Sequence, residues 1–146
     1  MSPLQFRASR AYSHVVFPTR IVLVVDDDAD MRLYLRSCLR GMIPPFDRII
    51  EAADGLEALR LVRTGEVHLV ISDVGLPGLD GHRLSRAIRD DAALQHVAVL
   101  LISGYGALRE SSAPDGFLTK PFNSQQLLAA VDRLQPRQAA SPEVDS

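Results

Sequence analysis

Only one of the 146 residues is a cysteine, Cys38, so no intrachain disulfide can form and a reducing compartment is open to the chain. No apolar run approaches the roughly 20 residues that cross a bilayer. That excludes a helical membrane span. An excess of one charge is missing as well. Lys and Arg number 16 against 18 Asp and Glu, for a net charge of −2, so nothing global draws the chain to nucleic acid or an anionic membrane. His14, His68, His82 and His96 are scattered and lack the spacing of zinc ligands. There is no internal repeat. The first twenty residues contain Arg7, Arg10, Arg20 and no acid. Their apolar centre, VVF, is too short for a secretory signal, and the stretch reads as a basic leader rather than a transit peptide. What remains is ordinary for one globular domain with a real core: 47% hydrophobic and 23% charged residues.

Patterning then divides the chain. Ile21 to Val25 is a short apolar run, read as a buried strand. Ala29 to Gly41 places Met31, Leu35, Cys38 and Leu39 at helical spacing, and Gly41 with Pro44-Pro45 stops it. RIIEAA from Arg48 is a second strand, and ADGLEALRLVRTG a helix ending at Gly65. HLVISD is a third strand, ending on Asp73; GLPGLDG is a loop; HRLSRAIRDD is a helix with Leu84, Ala87 and Ile88 inward. VAVLLIS and GFLT are the fourth and fifth strands, and a last helix runs from Phe122 to Leu134. Continuously apolar strands alternating with helices predict an α/β fold. It is a doubly wound, five-stranded parallel sheet with helices on both faces, which binds ligands beyond the carboxyl ends of its strands. The expected boundaries are a flexible leader over 1–18, one domain over 19–135 and a polar, disordered tail over 136–146.

Four strand ends then fall on one edge, because right-handed crossovers bring them there. They carry Asp26 and Asp27, Asp73, Ser103, and Lys120. Three carboxylates repel and push at least one toward protonation. Lys120 offsets one charge. The remainder suits one divalent cation in a hard oxygen site, the kind that holds Mg²⁺ and leaves positions open for a phosphate.

VVDDD, SDVGLPGLDG, LLISGYG and FLTKPF, in this order over Arg20 to Leu134, resemble the receiver domain of two-component response regulators. The resemblance implies the flavodoxin-like strand order 2-1-3-4-5. It implies that Asp73 accepts a phosphoryl group from a histidine kinase or a histidine phosphotransfer protein. Asp26, Asp27, Asp73 and the carbonyl of Gly75 would hold Mg²⁺. Ser103 would hydrogen-bond a phosphoryl oxygen, and Lys120 would pair with another and with Asp73. Phe117 would be the rotamer switch that follows Ser103, with Tyr105 an alternative switch, and Pro121 would follow a cis bond. A cytoplasmic location is implied, with no nucleic acid, no membrane and no enzymatic turnover beyond the domain's own phosphorylation and dephosphorylation. Because no output domain follows Leu134, the expectation is a single-domain regulator that signals through protein contacts. The alternative is a phosphate sink or shuttle in a phosphorelay.

Other readings of the acids are weaker. Asp26, Asp28 and Asp30 begin like a calcium loop, but Met31 stands where that loop needs Gly and Ser37 where it needs Glu. A haloacid-dehalogenase-type phosphatase would need Thr or Val at Asp30 and more acids after Lys120. Asp28 and Asp30 also suit the start of a helix, where the dipole favours acids. Two departures from the receiver pattern stand out. Ser103 and Lys120 are joined by an unusually short segment, so the fourth helix is expected to be short or frayed. Gly104 replaces the usual Ala, which leaves room for attacking water and predicts fast dephosphorylation, offset by Tyr105.

Overall fold

The computed structural model describes residues 19–104 and 113–134. The expected leader and tail, the short fourth helix and the Tyr105 switch all fall outside the described residues, save Gly104 and residues 113–119 at the ends of the short segment. The described elements are β1 (Ile21–Val25), α1 (Ala29–Leu39), β2 (Arg48–Ala52), α2 (Gly55–Val62), β3 (Leu69–Asp73), α3 (Gly81–Asp90), a 3₁₀ turn (Ala92–Leu94), β4 (Ala98–Ser103), β5 (Gly116–Thr119) and α4 (Ser124–Leu134). All strands pair in parallel, in the order β2-β1-β3-β4-β5. This is the doubly wound fold expected from the alternation, in the flavodoxin-like order that the receiver resemblance implies.

Burial follows strand position. Every residue of β1 and β4 is buried, as strands covered on both faces must be. The edge strands β2 and β5 are mostly half-buried or exposed. Side chains alternate across the sheet. Ile21, Leu23, Val25, Val70, Val99 and Leu101 pack with Ala58, Val62, Leu84 and Ile88 of α2 and α3. Val22, Val24, Ile71, Leu100 and Ile102 pack with Leu35, Leu39, Leu127 and Val131 of α1 and α4.

The first, second and fourth helices are shorter than their apolar patterns and the third is shifted by one residue, and a polar residue caps the start of each. The side chain of Asp28 accepts the Asp30 N–H, that of Asp54 the Glu57 N–H, and that of Asp80 the Arg83 N–H. So Asp28 does open the first helix, as the dipole argument expects. Asn123 and Gln126 exchange side-chain and backbone hydrogen bonds at 2.8 Å, a reciprocal cap that starts α4 two residues after Phe122. The first helix stops at Leu39 rather than Gly41, and the second at Val62, with Gly65 at φ +89° beyond it. These local choices leave β1, β3 and β4 ending together at one rim.

Candidate functional site

At that rim, Asp26 follows β1 directly. Its N–H bonds Ala52 O at 3.2 Å, which keeps it in line with the sheet, and it is buried. One of its carboxylate oxygens accepts the Asp28 N–H at 2.9 Å. Asp27 beside it is exposed. Asp73 is the last residue of β3. Lys120 follows β5, its peptide bond to Pro121 is cis, and its N–H donates to Ser103 O at 2.8 Å. Its ammonium Nζ lies 2.8 Å from Asp73 Oδ1, while the other carboxylate oxygen of Asp73 accepts the Gly75 N–H at 3.2 Å. Ser103 ends β4 and is buried. The strand register that sets Asp73 against Ile102 and Ser103 against Thr119 therefore brings acid, hydroxyl and lysine to one edge.

Electrostatics tie the group together. Burial pushes the Asp26 carboxyl above its ordinary pKa, and the charges of Asp73 and Asp27 push the same way; the Asp28 N–H and Lys120 only partly counter this. Partial burial works against charge on Lys120, but the hydrogen bond and charge of Asp73, with Asp26 and Asp27 behind it, hold the ammonium above its usual range. Lys120 thus stays a cation and Asp73 keeps a positive partner.

The donor set fits Mg²⁺. All the groups are hard oxygens, and burial, with smaller contributions from the charges of Asp73 and Asp27, disfavours ionisation at Asp26. Among the described residues no three His, Cys, Asp or Glu side chains close into a metal cage. Mg²⁺ tolerates that, since it keeps several waters and takes few carboxylates.

Some residues that shape the site carried no signal in the chemistry of the sequence. Arg32 on α1 donates to the carbonyl of Asp26 at 2.7 Å and pairs with Glu51 on β2 at 2.8 Å, so it clamps the β1 end to its neighbour. Gly81, at the start of α3, donates to Val74 O, and a Cβ there would lie 2.5 Å from Asp73 O. A Cβ on Gly55 would run into Leu79 O. Both glycines follow a capping Asp; the Asp-Gly pairs in ADG and LDG were the available clue. Phe117 lies in β5 opposite Leu101, half-buried with its ring centroid 6.3 Å from that of His82.

The family model described as response regulator receiver domain matches residues 22–132. The chain is 34% identical over 122 residues to the chemotaxis protein CheY-3 of Vibrio cholerae, covering 80% of this chain and 92% of the relative. It is 30% identical over 121 residues to the chemotaxis protein CheY of Pseudomonas aeruginosa, covering 80% and 96%. Among solved structures it resembles the chemotaxis response regulator CheY4 of Vibrio cholerae, with a TM-score of 0.71 at 26% identity over 80% of this chain and 98% of that one.

Proposed function

Because the chain belongs to the response regulator receiver family, we propose that it is a phosphorylated signalling switch whose acceptor is Asp73. The observation that carries this reading is the 2.8 Å pair between Lys120 Nζ and Asp73 Oδ1 at the carboxyl rim of the sheet. An Asp73 oxygen attacks the phosphorus of a phosphohistidine on a histidine kinase or phosphotransfer protein. The new O–P bond forms as the N–P bond breaks, and the imidazole leaves. The product is an acyl phosphate, which water can hydrolyse to erase the signal. Such a transfer needs positioning and positive charge rather than covalent help from the protein. Lys120 supplies a fixed charge at the oxygen that its partner Asp73 presents. Ser103 offers its hydroxyl to a phosphoryl oxygen, and Phe117 moves as Ser103 is drawn in. Asp26, Asp27, Asp73 and the Gly75 carbonyl hold Mg²⁺, which when bound neutralises charge on the phosphoryl oxygens. Output is a protein contact or onward phosphotransfer, in the cytoplasm, and the domain turns over nothing but its own phosphate. We also take 19–135 as the folded unit.

The test is labelling of the chain with acetyl phosphate or a cognate kinase in Mg²⁺. Wild type should gain one acid-stable, base-labile phosphate and Asp73→Asn none. Labelling of Asp73→Asn to the wild-type level would move the acceptor elsewhere.

A further inference from the structure

The pole of the sheet opposite the acids carries a cavity of about 330 Å³. It lies where the strands begin: Leu69 and Ala98 open β3 and β4, and Val131 and Leu134 close α4. Met42 and Ile43 complete an apolar wall. The rim is built rather than loose. Arg20 stacks on Phe46 at 4.4 Å and donates to Pro44 O at 2.6 Å and Pro45 O at 3.3 Å. His68, also at the wall, is held below its ordinary pKa by burial, then by His96 and Arg20, against an opposing pull from Asp47; its imidazole is neutral at neutral pH. Ile43 is nevertheless 89% exposed, although it belongs to this apolar wall. A cavity of about 150 Å³ takes up benzene, so this one accommodates a phenyl ring and more.

We propose that this cavity is the seat of the chain's own N-terminal leader, which lays Val15, Val16 and Phe17 against Ile43, Leu69, Val131 and Leu134. Thr19, where the described chain begins, lines the cavity itself. Phe17 is two residues before it, within about 7 Å of extended chain, and Val15 within about 14 Å. The leader therefore needs no long loop, and its ordering entropy is that of a few residues. The other end of the chain leaves from the same place, at Leu134, but continues as QPRQAASPEVDS, which offers no comparable apolar cluster. Docking makes the leader a strap joining the start of β1 to the end of α4, and it removes Ile43 from water.

NOE spectroscopy on methyl-labelled, full-length chain tests this. Phe17 ring protons should show contacts to methyls of Leu69, Val131 or Leu134, and a mixture of labelled and unlabelled chains should place them within one molecule. In full-length Phe17→Ser, fluorescence of an added anilinonaphthalene dye should rise severalfold as the cavity opens. Contacts that appear only between chains would identify a second copy as the occupant and overturn the proposal. So would the absence of contacts between Phe17 and the cavity methyls, or their replacement by contacts to a copurified small molecule.

Discussion

Asp26 is 4% exposed, yet Asp73 and Asp27 bear on its carboxyl group as charges and only Lys120 and the Asp28 N–H support its ionised form. A carboxyl whose native pKa lies above its unfolded value binds its proton more tightly when folded. It contributes most to stability at acid pH, and that contribution is lost as pH rises through the native pKa. Ionised Asp26 thus costs stability in metal-free protein at neutral pH. Asp26→Asn keeps an acceptor for the Asp28 N–H and removes the charge. It should melt higher than wild type at pH 7 in chelator, by roughly 2–4 °C, and the advantage should shrink as pH falls toward the acid range. Calorimetry across pH checks this; a variant that melts lower throughout would show that the carboxylate is better supported than its surroundings indicate. The identity of the acids was legible because a carboxylate that continues an apolar strand carries a desolvation cost, which a chain sustains where the charge has work to do at the rim. Their unequal burial was not, since Asp26 and Asp27 are neighbours of the same type and only the fold turns one inward and the other out.

Strand position and parallel type were readable from the apolar runs, because burial on both faces leaves no room for polar alternation in β1, β3 or β4. Helix ends are less legible. The apolar face of a helix continues into its caps, so periodicity overshoots where Asp54 and Asn123 end the regular hydrogen bonding. Among the glycines, the loop pattern draws the eye to Gly75 and Gly78, yet Gly55 and Gly81 hold the starts of α2 and α3 against the backbone of 73–79. A methyl group at Gly81 would meet Asp73 O and the Val74 Cα, neither of which can give way as a side-chain end would. Gly81→Ala should therefore cost about 1–3 kcal/mol by denaturant unfolding. It should also slow acetyl phosphate labelling beyond what the folded fraction explains, since the displaced backbone carries Asp73, the proposed acceptor. Gly65→Ala, in an open turn at φ +89° far from the rim, should lower stability and leave labelling of the folded protein unchanged. Equal effects of both variants on labelling would show that the close approach at Gly81 has no bearing on the site.

At the scale of the molecule the sheet has two unlike poles. The amino ends of the strands meet around an apolar cavity, and the carboxyl ends meet around acids, one of them paired with a lysine. A parallel sheet makes this division unavoidable, since every strand end of one kind lies on one rim. That is why a site spread over Asp26, Asp73, Ser103 and Lys120, nearly a hundred residues of chain, could be assembled from strand ends alone, while the cavity, which depends on how the α1–β2 loop and the end of α4 fall together, could not. The acid pole is also where the proposed Mg²⁺ would relieve the repulsion that Asp73 and Asp27 exert on Asp26. Mg²⁺ that binds the folded arrangement and not the unfolded chain stabilises by mass action, about 2.7 kcal/mol at a hundred times its dissociation constant, which for a domain of this size is on the order of 10 °C. Thermal unfolding with increasing Mg²⁺ should show that climb in wild type and little of it in Asp27→Ala, which removes one of the proposed oxygen ligands. In chelator the order should invert, with Asp27→Ala at or above wild type, because one of the crowding charges is gone. If Asp27→Ala melts below wild type without metal, the repulsion is not what the cation relieves; if it keeps the full Mg²⁺ shift, Asp27 is not among the groups that hold the ion.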